Sequence, residues 1–354
     1  MKGGVSMSIF MVPAKFPSIN AAVSIAEPGD TVLVQCGIYP ETVTIPSDKN
    51  AIRVIADVET GNVILDGGGR LDMAYNIMAN HVEIKGFTII NYVNAGIRVS
   101  GPTGLLFLIG SKLIGNTITN IIQGDGITLV DAFATLIWRN RIQGAARNAV
   151  SVTGTTMNTW TLDNELSGGG GNGVLNQSSA NVGGTIARNR ILANSGDGIL
   201  DNAGANLIFG NRIDGNAQNG IEEASPAQTA GFGGIVSNQI TRNRRDGVRL
   251  EQDRTVVAGN RLQNNLGAGI RIDTSFNVVQ SNIVHAGKGN GVMISPEAQE
   301  NLIIRNAFTR NVPFDISLNN PQNNLVENHW FTCTPANLCT QALSTGETTD
   351  GRGL

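Results

Sequence analysis

Apolar residues along this chain come in short runs of one to three, each closed by Asn, Gly or Asp, and the runs recur with a fixed rhythm. The pattern Asn-x-(Ile/Leu/Val/Phe/Trp) places its Asn at 116, 140, 164, 189, 211, 238, 260, 282, 306 and 328, at intervals of 22 to 27 residues. A small residue followed by Ile or Val comes after most of these, as in Gly126-Ile127, Ala149-Val150, Gly173-Val174, Gly198-Ile199, Gly220-Ile221, Gly247-Val248, Gly269-Ile270 and Gly291-Val292. A third apolar run leads into each Asn, for example Thr255-Val256-Val257-Ala258 and Asn301-Leu302-Ile303-Ile304. Short strands bounded by turn residues and repeated at this period predict a solenoid. The fold expected is all-β: a single-stranded right-handed parallel β-helix with three-strand rungs of about 23 residues and an N-terminal capping helix.

Physical chemistry supports that reading. One rung cannot bury its apolar residues alone, so neighbouring rungs must stack to dry them. Strands stacked about 4.8 Å apart would make 12 to 13 rungs about 60 Å long. The recurring Asn is expected at a bend, tolerating left-handed geometry and passing amide hydrogen bonds from rung to rung. The Gly before Ile or Val is expected either to take a positive φ or to let backbones approach closely. Phe16 to Ala26 reads as a short helix, with Ser18 as N-cap, Ile19, Ala22, Val23 and Ala26 on one face, and Pro28-Gly29 as the stop. The organisation expected is an N-terminal segment 1–15, a capped β-helix 16–330, and a cap loop with a flexible tail 331–354, the tail proper being Ser344 to Leu354.

Composition narrows the function classes. With 41% hydrophobic and only 15% charged residues the chain can build a core, and 44 Gly suit many tight turns. A net charge of −3 gives no reason to expect nucleic acid or an anionic membrane as partner. No stretch approaches the roughly 20 apolar residues of a membrane span, and no signal-peptide h-region is evident. Cys333 and Cys339 either close a small loop or stay free thiols, depending on compartment; Cys36 stands apart. His81, His285 and His329 fall in different rungs without a shared column, so no metal centre is expected from them.

The opening Phe16-Pro-Ser-Ile-Asn-Ala-Ala-Val, then Pro28-Gly-Asp-Thr-Val-Leu-Val and Gly37-Ile-Tyr-Pro-Glu-Thr-Val-Thr-Ile45, resembles that of the pectin-lyase-like superfamily. The Asn-x-Ile and Gly-Ile repeats are most similar to its NosD-type or CASH-like members. The resemblance covers residues 16 to about 330 and implies a β-helix and, more loosely, carbohydrate binding or processing, with an extracellular or cell-surface setting. It transfers no catalytic set: where a pectinesterase-like site needs its first Asp motif this chain reads Gly86-Phe87-Thr88-Ile89-Ile90-Asn91. The hallmark motifs of polygalacturonases, alginate epimerases and pectate lyases are likewise unmatched.

One break in the apolar pattern is the best internal clue to chemistry. Two residues after each Gly-Ile element the side chain should return to the core, as at Leu129, Val152, Leu250, Ile272, Ile294 and Leu318. In three successive rungs it is Asn176, Asp201 and Glu223. These rungs are expected to open to solvent, shift register or pair their charges. Asp201 and Glu223, brought close by stacking, are candidate acid and base, with Arg249 and Arg271 holding a uronate carboxylate. Glu222, Glu251 and Asp273 are candidate substrate contacts. The competing reading is a solvated ladder of salt bridges on an outward face. The position after each ladder Asn supplies a second candidate, the outward column containing Arg141, Arg190, Arg212 and Arg261, suited to an acidic polysaccharide. The column Asp125, Asn148, Asn172, Asp197, Asn219, Asp246 and Asn290 reads as turn chemistry; no cofactor is expected, although a calcium ion along it is an option. Two functions stay open: a non-catalytic protein that recognises an extended polysaccharide, or a lyase, epimerase or hydrolase acting on an acidic glycan at the 201–273 face.

Overall fold

The computed structural model describes residues 7–101, 108–179, 183–224 and 233–334. It falls into two units, one of Met1–Gly171 with Ser178–Ala180 and the other of Asn172–Gln177 with Asn181–Leu354. Each is built from parallel β coils of the predicted kind. A coil has a leading strand ending just before the ladder Asn, a middle strand just after it, and a closing strand at the Gly-Ile element. In the first unit one coil is Leu136–Trp138, Arg141–Ala145 and Val150–Thr153; in the second, one is Val256–Ala258, Arg261–Gln263 and Ile270–Ile272. Strands of one class pair in parallel with their counterparts a coil away, Val257 opposite Val279, Leu262 opposite Val284 and Ile270 opposite Val292.

Alternation places the core. Leading and middle strands turn their central residue inward, so Val257 and Leu262 are fully buried, whereas closing strands turn both ends inward, burying Ile270 and Ile272 and leaving Arg271 outside. Each such aliphatic side chain stabilises its coil by about 1.5–3 kcal/mol relative to exposure.

In the first unit, Ile9–Val12 pairs with Thr31–Val34, and the helix Ile19–Ile25 lies against these strands with Ile19, Ala22 and Val23 buried. Ser18 caps it, its hydroxyl accepting from the Ala21 N–H at 3.1 Å. The Glu41 carboxylate adds acceptors for the N–H groups of Ile19 at 2.9 Å and Asn20 at 3.0 Å.

The Asn ladder forms, with one correction to its geometry. The residue preceding the Asn takes the left-handed turn: Gly210 (φ 63°), Ser237 (56°), Gly259 (64°) and Arg305 (55°). That turn swings the Asn side chain inward, where Asn238 Oδ1 accepts from the N–H of Asn211 at 2.9 Å and from its amide at 3.0 Å, while Asn238 Nδ2 donates to the Ile208 carbonyl at 2.9 Å. The Gly before Ile serves close approach rather than a positive φ: a Cβ at Gly220 would meet the Gly247 carbonyl oxygen at 2.6 Å. Two further ladders line the other corners of the second unit, one through Asn194, Asn216, Asn243 and Asn265, the other through Asn277, Asn301 and Asn323. The first was visible as an Asn five residues after each of Asn189, Asn211, Asn238 and Asn260.

At the C-terminal side Cys333–Thr334 pairs with the strand Ile316–Leu318. Cys333 is disulfide-bonded and Cys36 is a free, exposed thiol. Cys339 and the tail Ser344 to Leu354 lie outside the described residues.

Candidate functional site

The three residues that break the apolar column keep their register. Asn176, Asp201, Glu223, Leu250 and Ile272 are successive partners on adjacent closing strands, and Asn176, Asp201 and Glu223 are all buried. The coils neither open to solvent nor slip, and the two carboxylates face the interior at 0% exposure. Asp201 is well supplied with donors: Asn206 Nδ2 at 2.7 Å, Asn176 Nδ2 at 3.0 Å and the Ala203 N–H at 3.1 Å. Neither carboxylate oxygen of Glu223 has a hydrogen-bond partner. Burial raises the pKa of Asp201 against the pull of those hydrogen bonds. Burial, and then the charge of Asp201, push Glu223 well above the usual carboxylate range. A polymer lying on the outside touches neither group.

The outward side of the same strands carries the other candidates. Leu200, Glu222, Arg249, Arg271 and Met293 are successive register partners. Arg249 pairs with Glu251 and, through Nε, with Asp273 at 3.2 Å; Arg271 Nε reaches the same Asp273 oxygen at 2.9 Å. Ser295 donates its hydroxyl to the other oxygen of Asp273. Burial alone would raise Asp273, but the Ser295 and Arg271 hydrogen bonds and the flanking guanidinium charges leave it below the ordinary range. Structure thus brings Arg249, Arg271, Glu251 and Asp273 into one ion network, with Glu222 beside it.

Sequence reasoning left Asp197 and Asp246 as turn residues, yet both carry raised pKa values. Asp197 is pushed to about 6 by burial and then by the neighbouring charge of Glu222. The two acids are linked through Asn219, whose backbone N–H donates to Asp197 at 2.7 Å and whose amide donates to Glu222 at 2.5 Å. Burial raises Glu222 more than the adjacent Arg249 lowers it, and burial also raises Asp246. The turn column itself is a hydrogen-bond relay: Asp197 N–H bonds Asn172, Asn219 N–H bonds Asp197, and Asp246 N–H bonds Asn219.

On the middle strands of the second unit, Arg190, Arg212, Gln239 and Arg261 are consecutive register partners and all are exposed. None of the three Arg has a carboxylate within salt-bridge distance among the described residues, unlike Arg141 of the first unit, which pairs with Glu165 at 3.7 Å. Among the described residues no cluster of three or more His, Cys, Asp or Glu could hold a metal, and no helix is long and apolar enough to cross a membrane.

The family described as right handed beta helix region matches residues 183–331. The fold of the chain is a right-handed parallel β-helix, in keeping with that description. Solved β-helices of similar shape include the A-module of the Azotobacter vinelandii mannuronan C-5 epimerase AlgE6, at 13% identity and TM-score 0.66, with 90% of this chain and 96% of that one covered. The AlgE4 A-module from the same organism matches at 12% identity and TM-score 0.61, covering 85% and 86%. The DFA-IIIase of Arthrobacter chlorophenolicus A6 without its lid matches at 14% identity and TM-score 0.60, covering 84% and 94%. At these identities the likeness is one of fold. No curated protein matches this β-helix in sequence.

Proposed function

We propose that this β-helix recognises an extended acidic polysaccharide, at an extracellular or cell-surface location, along the outer face of its middle strands. The observation that carries the reading is the exposed, in-register column Arg190, Arg212 and Arg261, whose guanidinium groups have no carboxylate within salt-bridge distance among the described residues. Stacked coils repeat these cations at multiples of about 4.8 Å, a pitch suited to the evenly spaced carboxylates of a uronan. Guanidinium groups bind carboxylates through paired N–H donors, and at an exposed face the attraction weakens with salt. By fold, the named neighbours that epimerise mannuronan support the choice of polymer. The test is binding to polymannuronate across a salt series: Arg190→Ala with Arg212→Ala should weaken it roughly tenfold, about 1.4 kcal/mol, and flatten its salt dependence. Binding unchanged in the double variant would remove this face from the account.

A second reading, a lyase, epimerase or hydrolase, is favoured by one observation: Asp197 and Glu222 form a linked pair of acids with raised pKa values beside Arg249. A group titrating near 6, as Asp197 does, suits proton transfer at neutral pH. Turnover of a uronan that is lost in Asp197→Asn and Glu222→Gln, while polymer binding persists, would select this reading over simple recognition.

A further inference from the structure

The interior pair Asp201 and Glu223 poses a problem that the outer faces do not solve. Two carboxylates lie fully buried on adjacent coils, and neither has a cationic side chain within salt-bridge distance among the described residues. The nearest outward Arg residues, Arg249 and Arg271, are committed to Glu251 and Asp273. A buried anionic pair without a counter-charge is among the most costly arrangements a core can hold.

The surroundings of the pair are rich in oxygen atoms that accept and are offered nothing. Asn206 is tied through its amide nitrogen to Asp201 at 2.7 Å, and its Oδ1 is buried without a partner. Both Glu223 oxygens and the Thr255 hydroxyl are also buried without partners. Glu223 and Thr255 flank one point, and Asp201, to which Asn206 is bonded, is the register partner of Glu223. A methyl group placed on Gly233 would lie 3.4 Å from Thr255 Oγ1 and 3.7 Å from both Glu223 Oε1 and the Gln252 amide nitrogen. Gly233 occupies the corner position that Asn206, Thr255, Asn277 and Asn301 fill in neighbouring coils, and it brings no side chain of its own to that corner.

We infer that this interior corner is a site for a single hard divalent cation of the calcium class, held by Asp201, Glu223, Asn206 Oδ1 and Thr255 Oγ1. Two carboxylates and neutral side-chain oxygens form the donor set that such ions prefer, and a 2+ charge balances the pair. A proton on Glu223 would supply one donor and leave the other acceptors unserved. Because the site is closed, the ion is bound as the coils form, and its binding free energy contributes to folding.

The full chain is unfolded in urea and refolded at pH 7.5 with either calcium chloride or EGTA, then desalted and assayed for bound calcium and thermal midpoint. One calcium per chain and a higher midpoint in calcium are expected. Asp201→Asn with Glu223→Gln should lose the calcium while remaining folded. Asp197→Asn and Asp246→Asn should keep it, because they alter only the outer turn column. Where the double variant fails to fold, Gly233→Ala decides, since its methyl group makes only ordinary contacts yet lies beside Glu223 and Thr255; calcium affinity should fall at least roughly tenfold. Equal midpoints in calcium and EGTA, calcium lost on changing Asp197, or undiminished binding in Gly233→Ala would each overturn the assignment.

Discussion

Arg249 and Arg271, on neighbouring coils, share a single oxygen of Asp273, at 3.2 Å and 2.9 Å. One carboxylate therefore balances two guanidinium groups, and a second acid, Glu251, completes the neutralisation of Arg249. Charge that is balanced this closely is poorly available to a ligand, in contrast to the open column at Arg190, Arg212 and Arg261.

Replacing Asp273 by Asn should release Arg271 and leave Arg249 with Glu251 alone. Loss of the partly exposed network is expected to lower stability by about 1 kcal/mol, measured by urea unfolding. The same variant should bind an acidic polysaccharide more tightly than the parent, in a salt-sensitive way. Unchanged affinity at low salt would show that the closing-strand face lies away from the polymer.

Stability should fall as the pH rises in the absence of divalent ions. Asp197, Asp201, Glu223 and Asp246 all have folded-state pKa values above their ordinary ones, so the native chain holds protons that the unfolded chain releases. Their contribution is fully present below about pH 4 and is lost as pH rises through each folded value, for Asp197 around 6. The shift of Asp197 by about two units corresponds to about 3 kcal/mol lost between acid and neutral pH. Thermal midpoints in EGTA at pH 5 and pH 8 test this, with Asp197→Asn flattening the lower part of the profile. A midpoint that climbs over that interval would contradict the burial of these acids.

Asn238→Ala should be among the most damaging single changes on the ladder. It orphans the backbone N–H of Asn211, takes one of the two acceptors from the Asn211 amide, which keeps the Ile186 carbonyl, and removes a donor from the carbonyl of Ile208, all at buried positions. A loss of about 3 kcal/mol is expected by chemical denaturation, on the scale of a few unsatisfied buried groups. Changing the exposed neighbour Gln239 to Ala should cost no more than about 0.5 kcal/mol.

The period was legible because each coil must present inward side chains at the same spacing, and the Ser18 cap because its partners lie within one turn. The break at Asn176, Asp201 and Glu223 was legible too, but its destination was not. Whether a polar residue stays inside depends on what the next corner offers, and Asn206, which donates to Asp201, comes from a different corner of the coil. Asp197 hid in an ordinary Gly-Asp-Gly turn; its raised pKa arises from burial and then from the charge of Glu222, one coil away. Long-range burial, unlike periodicity, leaves little trace in local sequence.

The direction of the Asn ladder limits how the second unit can be shortened. Each Asn Oδ1 serves the N–H of the coil before it, from Asn211 serving Asn189 to Asn328 serving Asn306. Removing coils from the C-terminal side strips acceptors from a buried N–H, a group that proteins almost never leave unpaired. Trimming from the N-terminal side strips acceptors as well, since each ladder amide donates to a carbonyl of the coil before it, as Asn238 does to Ile208, and backbone N–H groups such as that of Gln239 donate to that coil too. Shortened or concatenated versions should therefore need a cap at either end, with the native last coil supplying the Asn328 acceptor that the N–H of Asn306 requires.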